Sequence, residues 1–132
     1  MKYLLDTNIV SDAMNNPAGV VAKRLMQMED AELFTSIIVA AELHFGVLNK
    51  GSERLAGNLR KILMKLEVVS FTPPAEMHYA AVRLALERKG KPIGQNDTLI
   101  AAHALALDAI VVTDNVKHFS QVPGLKIENW LR

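Results

Sequence analysis

Two acidic residues in this sequence follow short apolar runs that resemble buried strands. Asp6 comes after Tyr3–Leu5, and Asp114 comes after the run Ala109–Thr113. In an open parallel sheet, ligand crevices form at the carboxyl ends of strands, so both carboxylates are expected at one edge. Taken singly, each is more simply explained as a strand terminator, because aspartate starts turns by accepting hydrogen bonds from nearby backbone N–H groups.

Glu42 is a third candidate because it lies on a predicted helix with apolar residues three and four positions away. A carboxylate buried on such a face is costly unless a cation or a hydrogen-bond network stabilises it. One interpretation is an internal salt bridge to Arg83; a role in a functional site is favoured over it. The apolar neighbours are Ile38, Ala41, Phe45 and Gly46.

Asp97 is the fourth candidate and begins an alanine-rich helical stripe that continues through Ile100, Ala101 and Ala104. The small side chains predict a face that lies close against the sheet. Acidic residues are also favoured in the first turn of a helix, where they complement its dipole. Taken alone, Asp97 would therefore be a capping residue more often than a metal ligand.

The four acids together indicate chemistry that none indicates alone. Like charges that meet in one crevice cannot all stay ionised without cations. The chain contains no cysteine, so a metal must use oxygen or histidine ligands. Carboxylate oxygens suit Mg²⁺ or Mn²⁺, and such ions support phosphodiester hydrolysis by polarising the phosphoryl oxygen and activating water.

Polar residues beside the acids could hold water molecules or fix the carboxylate rotamers. These residues are Asn8, Thr113 and Asn115, and such neighbours tune metal affinity in many sites. Ordinary turn chemistry explains them equally well. Gly94 is expected to allow a tight approach at the start of the Asp97 helix.

A basic cluster precedes Asp97 and is expected beside the site. Lys89 and Lys91 could contact the phosphates of a nucleic acid there. Cations are also favoured at helix ends, which is the better explanation for Arg88 alone. The four histidines have no metal-ligand spacing with one another and are expected in packing or on the surface: His44, His78, His103 and His118.

The alternation of apolar runs with helical periodicity predicts βαβ units around a parallel sheet. The predicted strands are Tyr3–Leu5, Glu32–Thr35, Glu67–Phe71, Ala109–Thr113 and Lys126–Asn129. The predicted helices are Ala18–Met28, Ile37–Asn49, Glu53–Lys65, Ala75–Lys89 and Asp97–Leu107. Gly51 and Gly90 suit helix ends.

Size and composition are those of one domain spanning residues 1–132, with 50% hydrophobic residues to form a core. The net charge of +1 gives no global attraction to polyanions, so nucleic-acid binding would need a local basic patch. No apolar segment reaches the length of a signal sequence or a membrane span, which predicts a cytoplasmic protein without membrane association.

The same motifs resemble those of PIN-domain ribonucleases, and specifically the VapC-type toxins of bacterial toxin–antitoxin pairs. The resemblance extends over almost the whole chain, through LLDTN, SIIVAAELHFGV, KGKPIGQNDTLIAAHAL, VVTDN and VPGLKIENW. In that family, acids matching all four candidates form the site.

The resemblance implies a three-layer α/β/α fold with a central parallel sheet and Mg²⁺- or Mn²⁺-dependent endoribonuclease activity. It also implies a homodimer, an RNA substrate that includes structured RNA such as tRNA, and a VapB-type antitoxin that wraps the toxin and occludes its site.

Other functions fit parts of the pattern. A solitary PIN-domain nuclease for RNA processing would use the same acids. A phospho-receiver module shares the small α/β fold but needs an acid pair after the first strand, and a dehalogenase-like phosphatase needs aspartate where Asn8 stands. A noncatalytic binding domain gives no reason for Glu42 and Asp97 to face inward.

Overall fold

The computed structural model describes residues 1–131 and contains one parallel sheet. Its five strands lie in the order β3-β2-β1-β4-β5, and every neighbouring pair is parallel. The central parallel sheet expected from the sequence is therefore confirmed. The strands are β1 (Tyr3–Leu5), β2 (Leu33–Ser36), β3 (Glu67–Val69), β4 (Ile110–Val112) and β5 (Ile127–Glu128).

Seven α-helices and one short 3₁₀ turn, Asp30–Glu32, connect these strands within residues 1–131. None of the helices in this part of the chain is both long and apolar enough to cross a membrane. The helices are α1 (Thr7–Asn15), α2 (Val20–Gln27), α3 (Ile37–Lys50), α4 (Glu53–Lys65), α5 (Ala75–Arg88), α6 (Gln95–Leu107) and α7 (Val116–Phe119).

Helix α1 is the main feature that the sequence prediction missed. The side chain of Asp6 accepts a hydrogen bond from the Thr7 N–H. The backbone carbonyl of Asp6 accepts from the N–H groups of Ile9 and Val10. Asp6 is thus both the strand terminator and the N-cap of α1. The strand therefore passes into a helix without a loop, which fixes the Asp6 carboxylate at the edge of the sheet.

Several predicted boundaries were also wrong by one or more residues. Strand β3 ends at Val69 instead of Phe71, and β5 covers two residues instead of four. Helix α2 begins at Val20 instead of Ala18. The ends of strands and helices depend on local hydrogen bonds that periodicity does not report.

The core is formed where the helices cover both faces of the sheet. Leu4 and Leu5 point to opposite faces of β1 and are both fully buried, as expected for a parallel sheet between two helical layers. Ile100, Ala101 and Ala104 are also fully buried, which confirms the predicted inward face of α6.

The chain places β2 and β3 on one side of β1 and then places β4 and β5 on the other side. The boundary between β1 and β4 is therefore a topological switch point. Such switch points open a crevice at the carboxyl ends of the two strands. Leu5 pairs in register with Val112. The next residues, Asp6 and Thr113, therefore emerge side by side into this crevice.

Glycines begin and end the helices that carry two of the acids. Gly51 ends α3 with φ 64°, and Gly94 precedes α6 with φ 94°, conformations that favour glycine. A Cβ atom at Gly94 would meet no heavy atom within 4 Å. The predicted reason was therefore wrong: Gly94 is needed for its positive φ and not for a close approach.

Candidate active site

Asp6 is at the centre of the acidic crevice and is only 3% exposed. Its Oδ1 accepts from the Thr7 N–H at 2.8 Å. Its Oδ2 accepts from the Thr113 hydroxyl at 2.8 Å and from the Asn8 amide at 3.3 Å. These contacts hold the carboxylate in one orientation at the junction of β1, β4 and α1.

The surroundings of Asp6 disfavour its charge. The pKa of this carboxyl is raised from its ordinary value of 3.8 to about 6, first by burial and then by the negative charges of Asp97 and Glu42, while the hydrogen bonds from Thr113 and Thr7 act in the opposite direction. Side chains from β1, α3 and α6 thus interact electrostatically at one place. This arrangement is one that a bound cation would relieve.

Glu42 reaches this crevice from the second turn of α3. Its Oε1 accepts from the Thr7 hydroxyl at 2.5 Å, and its Oε2 accepts from the Asn96 amide at 3.1 Å. The salt bridge to Arg83 considered from the sequence is wrong, because the Arg83 Nε donates to Glu87 at 2.7 Å instead.

The apolar neighbours of Glu42 do not bury it as the sequence suggested. Glu42 is half-buried, whereas Ala41 and Gly46 are exposed and Phe45 is 69% exposed. Helix α3 packs on the core through the buried residues Val39, Leu43 and Val47. The residues around Glu42 therefore lie on the solvent-exposed side of α3. Hydrogen bonds, and not apolar packing, hold the Glu42 carboxylate in place.

Asp97 enters from the first turn of α6 and contacts the segment after β4. Its Oδ2 lies 3.1 Å from the amide nitrogen of Asn115 and 3.0 Å from the Nδ1 atom of His118. His118 was expected in packing or on the surface, so the contact with Asp97 was missed. His118 follows Asn115 by three residues, or about one helical turn, and this spacing could have indicated that the two side chains lie side by side.

Asp114 lies at the exposed rim of the crevice. Its backbone N–H donates to the Asn8 Oδ1 at 3.0 Å, and its Oδ1 accepts from the Asn129 amide at 3.0 Å. Asn8 links this rim to Asp6, because its amide nitrogen donates to the Asp6 carboxylate. Asn129, at the C-terminal end of the sheet edge, was not predicted to contribute.

The three polar neighbours named from the sequence all connect these acids. Asn8 bridges Asp6 and the Asp114 backbone. The Thr113 hydroxyl donates to Asp6 and accepts from the Asn115 N–H at 2.9 Å, while the Asn115 side chain donates to Asp97. The polar side chains therefore form a network that orients the carboxylates.

The donor set is suited to a hard divalent cation. The four candidate ligands are carboxylates, and negative neighbours and burial both act against the charge on Asp6. Within residues 1–131, no three acidic or histidine side chains are already arranged around a single metal position. Each carboxylate is instead hydrogen-bonded to neutral or histidine side chains, and a cation would exchange some of these contacts for metal–oxygen bonds.

The basic residues predicted to contact RNA lie on a different segment from the acids. The Lys89 ammonium donates to the Gln121 carbonyl at 2.8 Å, so it joins the end of α5 to the turn after α7. Lys91 is exposed in the segment that leads from α5 to α6.

Comparison with known proteins identifies the family. The PIN domain model matches residues 3–125, which is most of the chain. The chain belongs to the PIN-domain family. Its fold and its four acids are therefore interpreted within that family.

The similar PIN-domain proteins match this chain over their full length. The chain is 39% identical to "Ribonuclease VapC2" of Rickettsia felis, with 98% of each chain covered. It is 31% identical to the "tRNA(fMet)-specific endonuclease VapC" of Salmonella typhimurium, again with 98% of each covered. The resemblance to VapC-type ribonucleases found in the sequence is thus confirmed.

Solved structures agree with this assignment. VapBC2 from Rickettsia felis, bound to a DNA fragment from its promoter, contains a chain that matches with a TM-score of 0.91 and 39% identity, covering 98% of this chain and 99% of that one. VapBC-1 from nontypeable Haemophilus influenzae matches with a TM-score of 0.83 and 32% identity over 100% of both chains. The three-layer PIN-like fold is confirmed.

Proposed function

We propose that this PIN-domain protein is an Mg²⁺- or Mn²⁺-dependent endoribonuclease that acts as the toxin of a toxin–antitoxin pair. The observation that carries the proposal is the meeting of Asp6, Glu42 and Asp97 at the β1–β4 switch point, with Asp114 at the rim. Relatives that match over the full chain are named ribonucleases and occur in VapBC complexes.

Some residues of the site would bind the metal, and others would orient the residues that bind it. Asp6, Glu42, Asp97 and Asp114 would hold the metal, which supplies charge stabilisation and an activated water for phosphodiester hydrolysis. Thr113 and Asn8 orient Asp6, and Asn115 orients Asp97. These hydrogen bonds keep the carboxylates directed into one crevice, where a cation would replace some of them with metal–oxygen bonds.

RNA would be bound by cations near the acids, because the protein as a whole is almost neutral. Lys91 is exposed next to the start of α6 and is proposed to contact a phosphate. Lys89 is proposed to do so after release of the Gln121 carbonyl. A relative that is named for tRNA(fMet) makes a structured RNA a reasonable substrate class. We place the reaction in the cytoplasm, where such RNA is found.

The partners proposed are a VapB-type antitoxin and a second copy of the chain. Relatives with the same fold occur in complexes with their antitoxins. Helix α3 also exposes large apolar side chains on its outer face, with Phe45 69% and Leu48 80% exposed. We propose that this face contributes to a homodimer, which sedimentation of the purified protein would detect.

The direct test of the proposed activity is cleavage of total RNA by purified protein with and without a chelator. Cleavage should require Mg²⁺ or Mn²⁺, should stop on addition of EDTA and should return when the metal is restored in excess. Asp97→Asn keeps the size of the side chain but removes a charge, so it should be inactive yet folded. Cleavage that continues in EDTA would contradict the metal mechanism.

A further inference from the structure

A second cavity lies between α5 and the start of α6, outside the acidic crevice. Its volume is about 240 Å³. Leu86 is buried at 1% exposure and provides an apolar floor, while polar side chains stand around it. The main lining residues are Tyr79, Arg83, Leu86, Glu87, Pro92 and Gln95.

This cleft shares the first turn of α6 with the acidic crevice. Gln95 lines the cleft, whereas the next residue, Asn96, donates to the Glu42 carboxylate at 3.1 Å. Successive residues of a helix point about 100° apart, so the two sites lie on different sides of one helix end. Adjacent residues of this helix end therefore belong to the two sites, which is the placement that a strand of RNA bound at both would require.

Arg83 gives the cleft a fixed and only partly used set of donors. Its Nε donates to Glu87 at 2.7 Å and its Nη1 to the Tyr79 hydroxyl at 3.3 Å. A guanidinium has five N–H groups, so further donors can bind a phosphate. The side chain is 61% exposed, which leaves it accessible to a ligand.

We propose that this cleft binds a nucleotide of the RNA substrate that flanks the scissile phosphate, with its unpaired base against Tyr79 and its phosphate on Arg83. The inference rests on the proposed ribonuclease function. Single-stranded RNA is bound by stacking of bases on aromatic rings or guanidinium planes together with cationic contacts to phosphates. The cleft combines one aromatic ring, one guanidinium, the Gln95 carboxamide and an apolar floor.

The first test measures binding without cleavage, using fluorescently labelled bulk tRNA and protein that carries Asp97→Asn. Adding Arg83→Gln should weaken binding about tenfold, because one charged and directional contact is lost. Arg54→Gln removes the same charge from α4, on a residue outside the cleft, and should change binding by less than about twofold. Equal effects of the two variants would overturn the proposal.

A second comparison predicts an effect of opposite sign. Glu87 competes with RNA for Arg83, so Glu87→Gln should tighten binding about threefold in the same assay. Glu53→Gln removes an equal charge from α4 and serves as the matched control. A general effect of protein charge would make the two glutamate variants alike and would count against a specific site.

The third test separates binding from chemistry in the active enzyme. Arg83→Gln and Tyr79→Leu should raise KM for bulk tRNA about tenfold while kcat stays within about twofold, and Tyr79→Phe should retain most of the binding because it keeps the ring. Thermal unfolding establishes that each variant is folded. A fall in kcat at unchanged KM would overturn the assignment, whereas a wild-type protein that cleaves no RNA would instead contradict the proposed function itself.

Discussion

The buried Asp6 carboxyl group should make the metal-free protein less stable as the pH rises. Its pKa is about 6 in the folded chain and 3.8 ordinarily, so the folded state binds more protons between these values. Stability therefore falls as the pH rises through this window, by up to about 3 kcal/mol in total. The full penalty of a buried charge is present about one pH unit above this pKa.

Asp6→Asn removes this penalty, and thermal unfolding in EDTA measures the result. The variant should be more stable than the wild type, with a larger difference at pH 7.5 than at pH 5. Burial lowers the pKa of His103, so stability is also lost as the pH falls below about 6.5, but both proteins share this effect. A stability difference that does not depend on pH would contradict the raised pKa of Asp6.

His118 should support metal binding through Asp97 without being a ligand itself. Its Nδ1 lies 3.0 Å from the Asp97 Oδ2, and loss of such an orienting contact lowers metal affinity about tenfold or more. Mn²⁺ binding followed by electron paramagnetic resonance should show this loss for His118→Leu. His118→Asn places a donor near the same position and should recover much of the affinity. Equal Mn²⁺ affinity of the wild type and His118→Leu would exclude the positioning role.

Ser36 connects the start of α3 to the buried side of α6. Its hydroxyl oxygen accepts from the Ile38 N–H at 3.0 Å and lies 2.8 Å from the Nδ1 atom of the buried His103. Ser36→Ala removes a helix cap and leaves a buried imidazole nitrogen without this partner. The two losses together should lower the free energy of unfolding by about 2–4 kcal/mol in urea titrations.

The control for this variant is Ser52→Ala, which removes the N-cap of α4 at the Leu55 N–H alone. Its cost should be about 1 kcal/mol. Since α3 carries Glu42, Ser36→Ala should also reduce cleavage more than Ser52→Ala does. Equal destabilisation by the two variants would show that the contact with His103 contributes nothing.

Periodicity predicted the strands and the long helices well because burial dominates their sequences. The apolar face of α6 and the β-branched strand β4 are buried as expected. Helix α1 was missed because its short segment starts with polar residues, and Asp6 was interpreted as a strand terminator and a candidate ligand but not as a helix cap. The N-cap role of Asp6 depends on the direction of the chain after β1, which becomes clear only in three dimensions.

The acids were predictable as a group because parallel strands place their carboxyl ends at one edge. Their neutral partners were harder to predict. Asn96, His118 and Asn129 contact acids that are distant in sequence, and a polar side chain carries no periodic signal that identifies its partner. The supposed pairing of Glu42 with Arg83 failed for the same reason, since charge alone does not specify which acid a cation meets.

The acidic crevice is expected to attract a cationic side chain when the whole toxin is bound by its antitoxin. An arginine could pair bidentately with two of the carboxylates and take the place of the metal, because its guanidinium presents parallel N–H donors. Inhibition would then combine this contact with apolar contacts elsewhere on the toxin. The two contributions can be separated by changing the crevice alone.

Expression of the wild-type chain alone should arrest growth, and coexpression with its antitoxin should restore it. Asp6→Asn should be harmless without the antitoxin, because a proposed metal ligand is lost, yet it should still copurify with the antitoxin through the remaining contacts. Its affinity for the antitoxin should fall by about tenfold, since one charged pair is weakened while the apolar contacts persist. If the wild-type chain proved harmless alone and copurified with no partner, the toxin function would be wrong, and a cleavage activity abolished by EDTA would then identify a solitary PIN-domain nuclease.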